Sequence, residues 1–169
     1  METWLTKAPK GIICLAVLET PHVIVGAAIA TKVVNPFLAL PLAFGSHFIL
    51  EKVPHWNPHL NTEKKKFGKI TTQSTQIIVL DVICALISGF FIASKSLPDS
   101  GRFAIILLAS FLSVLPDLIE GPYFFMNVKS KFLEKWIAFQ KSLQSDASPL
   151  PGLTTQVLTI FAAFWWILN

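Results

Sequence analysis

The chain reads as all-α, an integral membrane helical bundle of about five spans plus one amphipathic interfacial helix, in a single domain over 1–169. Three observations predict it. The 169 residues are 53% hydrophobic and only 14% charged, against about 25% charged in soluble domains. Mean hydropathy is +0.59. The apolar residues fall in long runs, and a helix of about 20 residues crosses ~30 Å of hydrocarbon. No run alternates with a period of two, and lipid favours helices because their backbone polar groups are satisfied internally.

The elements follow in order. Gly11 to Ala30 is the first expected span, and its polar break at Glu19, Pro21 and His22 argues against a signal peptide cleaved after "AIA", Ala28 to Ala30. Pro36 to Val53 is the second, ending at "KVPHW", where Pro54 removes a backbone donor. Thr75 to Ser94 is the third. Arg102 to Ile119 is the fourth, with Pro116 expected to kink it and Gly121-Pro122 to stop it. Asn127 to Gln144 places Phe132, Leu133, Trp136, Phe139 and Leu143 on one stripe among lysines, the pattern of an interfacial helix. "SDASPLPG", Ser145 to Gly152, breaks it before the fifth span, Leu153 to Leu168, which carries Trp165 and Trp166 as anchors. Cys14 and Cys84 sit in apolar segments without a metal-ligand spacing and read as small buried hydrophobes.

The net charge is +4. Five spans divide the 14 lysines and arginines eleven to three, with the larger share on the side of the N-terminus. By the positive-inside rule that side is cytoplasmic. The lysines are not interleaved with aromatics in a recognition module, so nucleic-acid binding is excluded as a reading.

Ionisable groups inside apolar spans are costly and need a partner or a task. His22, His47, Glu51, Asp81, Asp117 and Glu120 all interrupt such runs, and His55 follows them. Residues three or four apart share a helix face, so His47, Glu51 and His55 fall on one face, and Asp117 and Glu120 on another. The alternating direction of the spans brings these residues and Asp81 to one depth near the cytoplasmic side. A mixed histidine and carboxylate set suits a divalent transition metal, zinc first, with manganese or iron also compatible. A carboxylate outside the metal shell, among Glu51, Asp81 and Glu120, would act as a general base or orient a ligand histidine. The same residues can also tie helices together by hydrogen bonds without any metal.

"TPHVIVG", "SHFILEKVPHW" and "LPDLIEG", taken together, resemble the membrane-bound metal-dependent hydrolases of the YdjM type over the first two thirds of the chain. The resemblance implies a divalent metal held by His22, His47, Glu51, His55 and Asp117, with Glu51 standing where relatives usually carry Asp. It also implies residence in a bacterial inner membrane. The His-x3-carboxylate spacing is similar, too, to that of helical zinc-dependent phospholipases C. Two functions follow as expectations: a hydrolase using an activated water on a phosphoester or lipid headgroup at the cytoplasmic face, with membrane lipids as its partners, or a non-enzymatic ion carrier or scaffold.

Overall fold

The structure is a computed structural model that describes residues 18–169. These residues are 78% helical, with no strand among them. Seven helices follow one another: α1 (Thr20–Lys32), α2 (Pro36–Leu50), α3 (Leu60–Phe67), α4 (Thr72–Ser94), α5 (Ser100–Met126), α6 (Lys131–Leu143) and α7 (Pro149–Leu168). Three of them, α4, α5 and α7, are long and apolar enough to cross a membrane. Cys14 and the expected first span before Leu18 lie outside the described residues.

Local chemistry explains the starts. Asn35, Thr71, Asp99 and Ser130 each accept a backbone N–H from the first turn of α2, α4, α5 and α6, the usual remedy for the orphan donors of a helix N-terminus. Glu63 of α3 adds a second tie at the start of α4, accepting from the Thr71 backbone at 2.9 Å and from the Ser74 hydroxyl at 2.7 Å.

Two ends differ from the sequence expectation. α2 stops at Leu50, three residues early, because Pro54 disfavours helical backbone just before it. Its 15 residues rise only about 22 Å. α5 instead runs past Gly121-Pro122 to Met126 and closes on Asn127, which adopts the left-handed conformation at φ 56°. Lys64 reinforces that end by donating to the Phe124 carbonyl at 3.0 Å, a cation at the negative pole of a helix.

α1 and α5 form the centre, with α2, α4 and α7 around them. The chain alternates in direction: α1, α4 and α7 start from the end where Thr20, Asp81, Gln156 and Trp56 meet, and α2 and α5 return to it. The opposite end is packed by Ile24, Ala27, Ala28, Ala30, Ala39, Ala43, Ile92, Ala93, Ile106, Ala109 and Ala163. Small side chains let helix backbones approach closely, which is how helices associate where lipid removes the hydrophobic drive. Gly26 is one such close approach, since a Cβ there would stand 2.7 Å from the Ser113 hydroxyl and 2.8 Å from the Ala109 carbonyl.

α6 is amphipathic as expected, but its buried face is Leu133, Ile137 and Gln140. Phe132 and Phe139 of the predicted stripe stay 62% and 47% exposed. Trp136 and Phe139 lean on Phe48 of α2, with ring centroids 6.4 and 5.9 Å away. Cys84 is exposed on α4, contrary to its reading as a buried hydrophobe.

Candidate metal centre

Three helices deliver the polar cluster. His22 lies in the first turn of α1, His47 in the last turn of α2, Glu51 at the C-cap of α2, and Asp117 and Glu120 in the second half of α5. His22, His47 and Asp117 each offer a ligand atom within 4.8 Å of the others. The histidines are 6% and 0% exposed.

The ring nitrogens divide into held and unpartnered. His47 Nδ1 lies 3.0 Å from the Ser113 carbonyl, a contact that makes Nδ1 the protonated nitrogen and leaves Nε2 as the lone-pair side. Nε2 faces Asp117 Oδ1 at 3.6 Å and has no hydrogen-bond partner. His22 directs Nε2 to Glu51 Oε1 at 3.5 Å, and its buried Nδ1 is unpartnered. The two rings lie 4.5 Å apart, tilted by 32°.

Such a set fits a metal ion. Donors about 2.0–2.1 Å from tetrahedral zinc are roughly 3.3 Å from each other, close to the 3.6 Å between His47 and Asp117. A buried polar atom without a partner costs about 1–3 kcal/mol, and two ring nitrogens here carry that cost together. Metal-bound histidine also characteristically hands its other nitrogen to a carboxylate or carbonyl, which is the arrangement of His22 with Glu51 and of His47 with Ser113.

His55 reaches the cluster by a different route from the one the spacing predicts. It lies beyond the end of α2, in an extended segment whose backbone pairs with Ser145 and Ala147. Its Nε2 nevertheless stands 3.8 Å from Glu51 Oε1, while Nδ1 is 2.9 Å from the Val53 carbonyl. His55 is therefore a neighbour of Glu51 and stands outside the group of three.

Asp81 takes a different part from the acid–base role expected of it. It is 2% exposed, and its carboxylate accepts from the Glu19 backbone N–H and, at 2.7 Å, from the Thr20 hydroxyl. It caps α1 from a neighbouring helix, in the favourable place for an anion. Its oxygens are occupied by that task.

Beside the cluster is a cavity of about 220 Å³. Glu19, His22, Glu51, His55, Asp117 and Glu120 line its inner part; Ile78, Val82, Leu118, Phe124 and Phe125 form an apolar wall; Asn57, His59 and Lys141 lie among the loop and α6 residues. Glu19 and Glu120 each keep one buried carboxylate oxygen without a partner.

Gln140 is the functional residue that the sequence reading missed. It donates from Nε2 to Asp117 Oδ1 at 3.0 Å, and its own Oε1 is buried and unpartnered. Trp136, one turn earlier, donates from Nε1 to the Pro116 carbonyl at 3.0 Å. The signal was present: Gln140 is the polar member of the Leu133, Ile137, Gln140 face. No protein family, curated protein or solved structure matches this chain.

Proposed function

We propose that the protein is an integral membrane hydrolase that uses one divalent transition metal, zinc first among the candidates, to act on a phosphoester at the membrane. The carrying observation is the grouping of His22, His47 and Asp117 with ligand atoms within 4.8 Å of one another, each histidine keeping one buried, unpartnered ring nitrogen. When bound, the metal supplies Lewis acidity and lowers the pKa of a coordinated water from 15.7 to about 7. Glu51 sets the orientation and basicity of His22, and the Ser113 carbonyl does so for His47. Glu120, with a free carboxylate oxygen inside the cavity, accepts the proton of the attacking water. The five residues carrying the YdjM-type resemblance all lie at this site, which supports that kinship as part of the proposal.

The proposal extends to topology. We read five crossings in a bacterial inner membrane, with the N-terminus cytoplasmic, a reading supported by the alternating direction of the helices and by the eleven-to-three division of basic residues. The site then lies toward the cytoplasmic leaflet. The ion-carrier reading fares worse, because the far end of the bundle is closed by alanine and isoleucine.

Metal analysis of the zinc-replete purified protein tests the reading. One bound metal per chain, lost together with phosphodiesterase activity in His47→Ala, is the expected result. Absence of bound zinc, manganese or iron, with activity unaffected by the substitution, overturns it. Ion flux in liposomes that disappears in Asp81→Asn would favour the carrier instead.

A further inference from the structure

We propose that the substrate is a zwitterionic phospholipid that reaches the site sideways, between α4 and α5, with its head in the cavity and its acyl chains along the outer faces of those helices. The inference rests on the hydrolase reading for the reaction but on separate observations for the ligand. The first is the wall. Val82, Leu118 and Phe125 line the cavity and keep 36%, 47% and 49% of their surface exposed. They belong to two helices long and apolar enough to cross a membrane. Exposed apolar side chains of two such helices, set at the edge of a cavity, suit a ligand whose chains are apolar.

The second observation is charge. Four carboxylates, Glu19, Glu51, Asp117 and Glu120, line the cavity, and its one lysine, Lys141, already donates to Gln144 and Asp146. A pocket edged by carboxylates, whose lysine is already engaged, disfavours a polyanion such as a nucleotide. A phosphodiester carrying an ammonium group matches better, with the phosphate toward the histidines and the ammonium toward the free oxygens of Glu19 and Glu120. The third is an unpartnered buried acceptor. Gln140 is 6% exposed, lines the same cavity, and has no donor for its Oε1, which an ammonium N–H would supply. A cavity of 220 Å³ has room for such a head and leaves the chains outside.

The test uses full-length protein in vesicles and phosphatidylethanolamine with a photoreactive group high in one acyl chain. Metal-free protein is used first, so that binding is read without turnover. Crosslinks are expected in α4 and α5, about tenfold fewer in Leu118→Trp, which fills the gap from an exposed position, and about tenfold fewer when phosphatidylglycerol carries the probe. With metal restored, Leu118→Trp should lower the ratio of long-chain to short-chain phosphoethanolamine hydrolysis by about tenfold. Crosslinking that ignores the Trp substitution, or equal capture of the anionic lipid, overturns the inference even if short-chain hydrolysis persists. Crosslinking as expected without hydrolysis of either substrate overturns the hydrolase reading and leaves the lipid site standing. Val82→Trp repeats the measurement from α4, so a folding defect in one variant does not decide it.

Discussion

Helices α1 and α5 pack together at the centre of the bundle, yet the two ends of their shared surface are built on opposite terms. Toward Lys32 the shared surface is alanine and isoleucine. Toward Thr20 the same pair presents His22 and Asp117, and polar atoms there are left without partners; between the two, Gly26 lets α1 meet Ser113 and the Ala109 carbonyl. One end packs mainly small apolar side chains. The other lines a cavity and keeps unmet hydrogen-bonding capacity. The difference teaches that the close-packed end fixes the spacing that the open end relies on, because a shift of α1 against α5 would separate His22 from Asp117.

Four substitutions break or sharpen that contrast. The largest effect is expected from Gly26→Leu, which forces a side chain into the Ser113 and Ala109 contact and should destabilise the fold by about 3 kcal/mol; thermal unfolding in detergent reads it, and metal binding should fall with it although no ligand has changed. Asp81→Ala comes next. It leaves the Glu19 N–H without its acceptor and the Thr20 hydroxyl with only the Asp81 carbonyl at 3.2 Å, and should cost about 2 kcal/mol, with one metal still bound per folded chain. Retained stability would mean that Asp81 does not act as the cap of α1.

Gln140→Leu reverses the pattern: unfolding should be nearly unchanged, while metal affinity weakens by roughly 10- to 100-fold, measured by competition with a chromogenic chelator. Equal affinity in both proteins would remove Gln140 from the support of Asp117. The smallest change belongs to Lys141→Ala. Its 3.0 Å ion pair with Asp146 joins side chains 49% and 40% exposed, and its loss should move stability by under about 1 kcal/mol.

Much of the polar end was legible because helical spacing is a local property. His47 and Glu51 share a face by arithmetic alone, and His22 and Asp117 announced themselves as polar breaks in apolar runs. His55 shows the limit. The right residue was expected by the wrong path, since the periodic rule assumes a helix that Pro54 ends, and chain reversal then returned His55 to Glu51. Asp81 was misread because its partners are a backbone N–H and a hydroxyl at the mouth of another helix, and no spacing encodes such a contact. Gln140 was hidden because helical spacing marks the apolar stripe of α6 and does not say which polar neighbour reaches Asp117. The lengths of α2 and α5 were misjudged for opposite reasons: Pro54 disfavours helix in the residues before it and ends α2 early, whereas α5 continues through Pro122 to Met126.

The short pairing between the segment after α2 and the one after α6 reaches further than its size suggests. Ser145 donates to the Glu51 carbonyl at 2.9 Å, His55 to Ser145 at 3.1 Å, and Ala147 to His55 at 2.9 Å, while Asn57 meets Asp146 across 89 positions of sequence. During synthesis, His22, His47 and Asp117 are all made before that latch exists. The His22, His47 and Asp117 group is thus complete in sequence before the segment after α6 fastens Glu51 and His55 beside it.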